Sequence, residues 1–385
     1  MLIKRICKEN FSNVISTTLM SMSNANRLAY LDWMRGLAVV AMIETHVFNS
    51  FLRVDLRMSD AYMIAQSIGG LAAPLFLFIA GIMVGFRVDK RDEQGFGPLA
   101  RMLDIWKRGG YILCIAELIL FQQYVSQWAF GNWRYLLRVD ILNCMALAIA
   151  VSGLAALGAA PKRPGLALFL GAIIAGLAPV ACGLDWNWAP TLLRDYLIPG
   201  PHRFAFFPEA AYVPFGMAAG FVLRRAGARG LPTAMTWIAF AGFGLLYGGQ
   251  FFSAQPYSLY PNADFWVNSP GLIVIRTGVM ALILAISFLW TRFVFNARIL
   301  RQLGTTSLLV YWVHVELVYG SWLAVWKRHL TVGQTALATI LITVLMYALS
   351  VAKTRWAGHI TAAISSLLPR QGKHPSKAPA LNARA

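Results

Sequence analysis

Charge is what this chain has least of. Only 13% of its 385 residues are Asp, Glu, Lys or Arg, against about a quarter in an ordinary soluble domain. With 58% hydrophobic residues and a mean hydropathy of +0.58, that shortage excludes a soluble globular protein and makes the lipid bilayer the chain's main solvent. Cysteine is scarce too. Cys7, Cys114, Cys144 and Cys182 lie far apart, with neither a disulfide framework nor metal-ligand spacing, and three of them sit in apolar stretches as small hydrophobes. A Gly-rich phosphate loop, a His/Cys/acid metal cluster and a serine nucleophile elbow are all missing, so no metal is expected. Acids number 16 against 34 bases, a net charge of +18. The bases cluster between apolar segments rather than along one polar face, which argues against nucleic acid as a partner and for loop charge that holds topology. The apolar run near residues 11–22 is broken by polar residues and is not expected to act as a cleaved signal.

What the chain does have is apolar runs of bilayer length. About ten are expected, near residues 31–52, 64–86, 109–125, 141–160, 165–183, 211–223, 233–252, 271–290, 307–326 and 334–352. The third and sixth are short, and the sixth has the length of a re-entrant segment. With the N-terminus in the cytoplasm, the cytoplasmic segments hold about 24 Lys and Arg and the opposite segments about 8. That bias alternates through all ten runs and predicts an all-α, polytopic membrane bundle with both termini inside. Three parts are expected: a basic segment at 1–27, a membrane domain at 28–358 and a Lys/Pro/Ala-rich, largely disordered tail at 359–385. The segments opposite the cytoplasm are long, Pro-punctuated and aromatic, with Trp128, Trp133, Trp186, Trp188, His202, Tyr257, Asn262 and Trp266. Interfacial aromatic belts have this composition, and so do platforms that stack on sugar rings.

The run from Leu31 to His46 opens with Asp32 and Arg35, turns apolar, and then places Glu44 and His46 at bilayer depth. An ionisable group there costs roughly 2.5–3.5 kcal/mol on insertion scales and is seldom kept without use. Asp32, Arg35 and His46 share one helical face, and His46 lies ~16 Å along the axis from Arg35. His46 could be a packed, hydrogen-bonded histidine or a base that takes and returns a proton. Arg35 could mark topology or grip a phosphate, with Asp32 orienting it.

Other polar groups sit in later runs. Pro74 and Gly81 suggest a kink and a close helix approach in the second. Arg138-Val139-Asp140-Ile141-Leu142-Asn143 opens the fourth; Arg138 and Asp140 suit an interface, and Asn143 a hydrogen bond to a substrate carbonyl. Glu117 and Arg276 are candidates for a buried ion pair. Ser307, Tyr311 and His314 fall at i, i+4 and i+7, so the ninth run offers either a cavity wall or a helix–helix hydrogen-bond seam.

Taken in order, Asp32…Arg35-Gly36…His46, Pro74…Phe78…Gly81, the Arg138–Asn143 motif and Gly304…Ser307…Tyr311…His314 resemble the transmembrane acyltransferases. The closer likeness is to bacterial relatives of heparan-α-glucosaminide N-acetyltransferase. A weaker one is to the acyltransferase type 3 family, which has a similar Arg-to-His spacing. The resemblance implies about ten helices in a bacterial inner membrane and an acetyl group taken from acetyl-CoA. It also implies transfer to a sugar hydroxyl or amine of a glycan across the membrane. By the type 3 pattern His46 is the catalytic base. The lysosomal enzyme has Asn at that position and its essential His in the following loop, whereas this chain has no histidine from Val47 to Pro201. On this reading His46, Arg35 and Asp32 are catalytic, and Asn143, Ser307, Tyr311, His314, Arg138 and Asp140 bind substrate or donor. The rival readings are a secondary transporter or flippase using the same charges for coupling, without the inverted repeats that many transporters show, and a structural membrane subunit.

Overall fold

The computed structural model describes residues 28–126, 133–200, 204–255, 259–260, 263–294 and 298–367. Segment 1–27, the tail from 368, and Trp128, His202, Tyr257 and Asn262 lie outside them. The described chain is built from α1 (Ala29–Phe51), α2 (Asp60–Gly69), α3 (Ala72–Glu93), α4 (Pro98–Ser126), α5 (Ile141–Ser152), α6 (Arg163–Gly183), α7 (Thr191–Leu197), α8 (Phe206–Glu209), α9 (Tyr212–Ser253), α10 (Pro270–Phe293), α11 (Arg298–Thr305), α12 (Ser307–Tyr319) and α13 (Val332–Leu367), with short 3-10 turns between them. Among the described residues, six helical stretches are long and apolar enough to cross a membrane, as in an all-α membrane protein. α1 spans 23 residues and α4 29, enough to cross, but both carry ionisable groups along their length.

Several boundaries differ from expectation. The sixth and seventh runs lie in α9 as two helices that join without a loop at Gly227, whose non-helical backbone (φ 62°, ψ −169°) is open to glycine alone at little cost. The ninth run stops as an α-helix at Tyr319 and continues as a 3-10 turn, Ser321–Trp326. α13 runs to Leu367, past the expected boundary at 358.

α1 is the axis of the bundle. Leu31, Met34, Ala38, Val39, Ile43, Val47 and Phe51 are fully buried, as a helix apolar on most faces must be. It packs against α2, α3, α10, α11, α12 and α13. Glycines set the closest crossings. A Cβ on Gly36 would fall 1.9 Å from the Leu300 carbonyl oxygen, and one on Gly304 would fall 1.8 Å from that of Asp32. α3 and α9 meet through paired small-xxx-small motifs, Gly81/Gly85 against Gly216/Gly220, where an added Cβ would fall 1.9–2.6 Å from a facing carbonyl oxygen. At its far end α1 is joined to the segment before α13: Leu52 and Leu330 form an isolated parallel bridge, and Arg328 donates its amide to the Ser50 carbonyl.

At the end of the bundle that holds Asp32, arginines are matched with acids. Buried Arg163 donates to Asp89 and to Asp92, both at 3.0 Å. Arg225 also pairs with Asp89 at 2.9 Å, and Arg101 pairs with Asp92. Arg87 and Arg91 share Asp104, and their hydrogen bonds hold its carboxyl down at about 2. This network ties α3, α4, α6 and α9 together.

Candidate active site

Two polar centres sit on α1. At its N-terminal end Arg35 Nη1 donates to Asp32 Oδ1 at 2.9 Å, and Arg301 of α11 lies within electrostatic reach of Asp32. Arg108, one turn beyond Asp104 on α4, feels the like charges of Arg35 and Arg87. Four guanidiniums, Arg35, Arg87, Arg108 and Arg301, therefore border the Asp32 end, of which Arg35 and Arg87 have carboxylate partners.

Three turns further along, His46 meets α12. Its Nδ1 lies 2.9 Å from His314 Nε2, with the two rings 12° from parallel. His314 is fully buried, and its Nδ1 is 2.7 Å from the Val310 carbonyl oxygen. A carbonyl only accepts, so His314 Nδ1 carries the proton. In the neutral ring Nε2 then accepts, and His46 Nδ1 must be the donor. That leaves the lone pair on His46 Nε2, the nitrogen pointing away from the pair. His46 is only half-buried. A second residue thus sets the tautomer and ring plane of His46 and leaves one of its nitrogens able to accept a proton. The Tyr319 ring stands edge-on to His46 at 5.2 Å.

The fourth-run motif joins this centre through Tyr311. Its hydroxyl donates to Asp140 Oδ2 at 2.9 Å, while Asp140 Oδ1 caps α5 by accepting from the Ile141 amide at 2.7 Å. Asn143 Oδ1 completes the cap by accepting from the Asp140 amide, and its Nδ2 donates to Glu117 at 2.8 Å and to the Tyr196 hydroxyl at 3.0 Å. Asn143 is 1% exposed, and both hydrogen bonds its Nδ2 makes go to protein. Glu117 accordingly has a different partner from the one expected. Arg276 instead hydrogen-bonds to Tyr212 and faces Glu209. Arg138 is exposed and near enough to act on His46, Tyr311 and Tyr319. Ser307, half-buried a turn below Tyr311, takes no part in this set of hydrogen bonds.

The structure thus gathers His46, His314, Tyr311, Asp140, Asn143 and Arg138, and holds Asp32 and Arg35 apart from them at the other end of α1. Tyr319 escaped sequence reasoning although, at i+8 from Tyr311, it continues the same face. Glu316 escaped it as well, and takes a hydrogen bond from Ser126 at 2.8 Å. The described parts of the aromatic loops expose Trp133, Trp188 and Trp266, with Trp186 and Trp188 stacked 5.9 Å apart.

A family model for the catalytic region of heparan-alpha-glucosaminide N-acetyltransferase matches residues 27–250, more than half of the chain. The matched region takes in Asp32, Arg35, His46 and the Arg138–Asn143 motif, and ends before α12 and His314. No curated protein matches the chain. A helical membrane bundle matched in this way from α1 into α9 belongs to the heparan-alpha-glucosaminide N-acetyltransferase catalytic family and is a membrane acetyltransferase.

Proposed function

We propose that this acetyltransferase takes its acetyl group from cytoplasmic acetyl-CoA and passes it to a sugar hydroxyl or amine of a glycan on the far side of a bacterial inner membrane. About ten crossings with both termini inside form one catalytic unit over residues 28–358, flanked by the 1–27 segment and the tail. The Asp32 end of α1 then faces the cytoplasm, where the positive-inside bias concentrates charge and an anionic donor is drawn in. Arg35, aligned by Asp32, grips donor phosphate, with Arg108 beside it.

The observation that carries this reading is the His46–His314 pair. His46 Nε2 takes the proton from the acceptor hydroxyl or amine as that oxygen or nitrogen attacks the thioester carbonyl. The carbon–sulfur bond breaks, and the proton passes from His46 Nε2 to the departing sulfur. The positive charge that His46 carries in between is stabilised by its Nδ1–H bond to His314. His314 is thereby a positioning residue, while Tyr311, Asp140 and Arg138 line the acceptor side, and Ser307 the path toward the donor.

The test is incorporation of labelled acetyl into envelope glycans by cells carrying wild type, His46→Ala or His314→Gln. Labelling is expected to vanish with His46→Ala. With His314→Gln it is expected to fall ten- to a hundredfold and to change its pH dependence, because the ring orientation and not the base is lost. Equal labelling by all three would end the assignment. A transporter or flippase draws support from Glu44, whose Oε2 is buried without a hydrogen-bond partner. It requires gradient-driven flux with no acetylated product.

A further inference from the structure

Between α10 and the part of α9 that follows Gly227 lies an apolar cleft of about 410 Å³, within the ~300–1,000 Å³ typical of ligand pockets. Its α10 wall includes Ala285, Phe288, Leu289 and Arg292, at i, i+3, i+4 and i+7, and Ala239 and Phe240 of α9 stand opposite. Phe240 and Leu289 are exposed, so the cleft opens on the surface where lipid tails lie. Thr236 is the one uncharged polar side chain of the lining, and its hydroxyl already donates to the Pro232 carbonyl at 3.1 Å. A soluble polar ligand has little to hold there, whereas a hydrocarbon chain needs nothing more.

The mouth of the cleft is cationic. Arg292, in the last turn of α10, lies over the Phe288 and Phe293 rings, 6.0 and 5.9 Å from their centroids. Arg229 precedes Pro232 by three residues and Thr236 by seven, which extends the α9 face of the cleft by one turn. α9 and α10 run antiparallel, Gly242 against Gly278 and Gly249 against Gly271. Arg229 comes thirteen residues before Gly242 and Arg292 fourteen after Gly278, so helical rise sets both at one level, ~20 Å from that crossing. Neither has a carboxylate partner among the described residues, while Arg224 and Arg225, just before Gly227, pair with Glu93 and Asp89. Residues 228–253 and 270–293 contain no Asp or Glu. A second copy packed face to face on this cleft would press like arginines together. A basic pocket between spans at a membrane surface is instead the signature of an anionic headgroup.

We infer that the α9–α10 cleft binds an anionic phospholipid of the leaflet at the Asp32 end: one acyl chain lies in the cleft, and Arg229 and Arg292 hold the headgroup phosphate. The site borders that end of α1, because Phe288 packs edge-on against Tyr30 at 6.0 Å and Trp290 against Trp33 at 5.8 Å. It stands independently of the acetyl-transfer reading.

The experiment titrates the purified full-length protein in detergent with phosphatidylglycerol, phosphatidylcholine of the same chains, and glycerol phosphate, and reads bound ligand by native mass spectrometry. Phosphatidylglycerol is expected to bind ~10–30-fold more tightly than phosphatidylcholine, the effect of two arginines at the headgroup. Glycerol phosphate, which has the charge without the chain, is expected not to displace it. The preference is expected to fall toward unity in Arg229→Gln/Arg292→Gln and to persist in Arg355→Gln, which removes an exposed arginine of α13. A photoreactive diazirine on the acyl chain is expected to label the peptides 232–243 and 285–293 of the wild type, and to lose that labelling in Ala239→Trp, which fills the cleft. Equal affinities, a preference untouched by the double substitution, displacement by glycerol phosphate, or labelling confined to other helices overturns the site. A wild-type dimer that Ala239→Trp converts to monomers, with lipid binding unchanged, overturns it in favour of a second copy.

Discussion

The two ends of α1 treat the cations near them in opposite ways. Around Asp32 the arginines have carboxylates: Arg163 with Asp89 and Asp92, Arg225 with Asp89, Arg87 and Arg91 with Asp104, Arg35 with Asp32. Around His46 the two histidines hold each other and the Val310 carbonyl, and Arg57 and Arg138 have no carboxylate partner among the described residues. Buried ions survive in a bundle when they are paired, so the first end is largely held in balance by its own pairs. The second end is held in shape by neutral contacts and keeps its basic groups unspent. Paired charge builds the scaffold at one end of the helix, and neutral hydrogen bonds build it at the other.

Substitutions can break or sharpen that contrast. His46→Ala should lower acetyl transfer by ~10²–10⁴-fold, the usual worth of a general base, with thermal unfolding in detergent unchanged; a loss of folding in step with activity would place His46 on the structural side. Arg163→Met should do the opposite. It removes a fully buried cation from two acids and should cost ~3 kcal/mol of stability, seen as a lower unfolding midpoint, while kcat of the surviving folded protein holds. Gly304→Ala drives a methyl group into the Asp32 carbonyl and should cost ~1–3 kcal/mol, with KM for the donor rising more than kcat falls. The smallest effect is at Asp104. Its carboxyl sits at about 2 in the folded chain, below an unfolded value of ~3.9. The associated stability is therefore fully present above pH ~4 and is lost as pH falls toward 2. Asp104→Asn should flatten that acid limb and leave the neutral-pH transfer rate alone.

Much of α1 was legible in the sequence, because helical spacing alone puts Asp32, Arg35 and His46 on one face and the cost of burial singles them out. Ser307, Tyr311 and His314 could be read as a polar row for the same reason, but their partners could not. His46 and His314 are 268 residues apart, and their meeting depends on the register of α1 against α12, set by glycine clearances that no periodicity encodes. Glu117 shows the same limit. Burial demanded a partner, and Arg276 and Asn143 both qualified by type; only the α4–α5 packing selects Asn143.

α1 is also fastened at both ends, by backbone contact with α11 at Gly36 and Gly304 and by the Leu52–Leu330 bridge. A rod pinned in this way is a ruler. The interval from Arg35 to His46, ~16 Å by helical rise, cannot contract to suit a short donor, so a donor anchored by its phosphates needs an arm long enough to carry its thioester across that interval. Acetyl phosphate, which keeps the phosphate and the acetyl group a bond apart, should be measured out by the protein itself, failing as a donor however high its concentration.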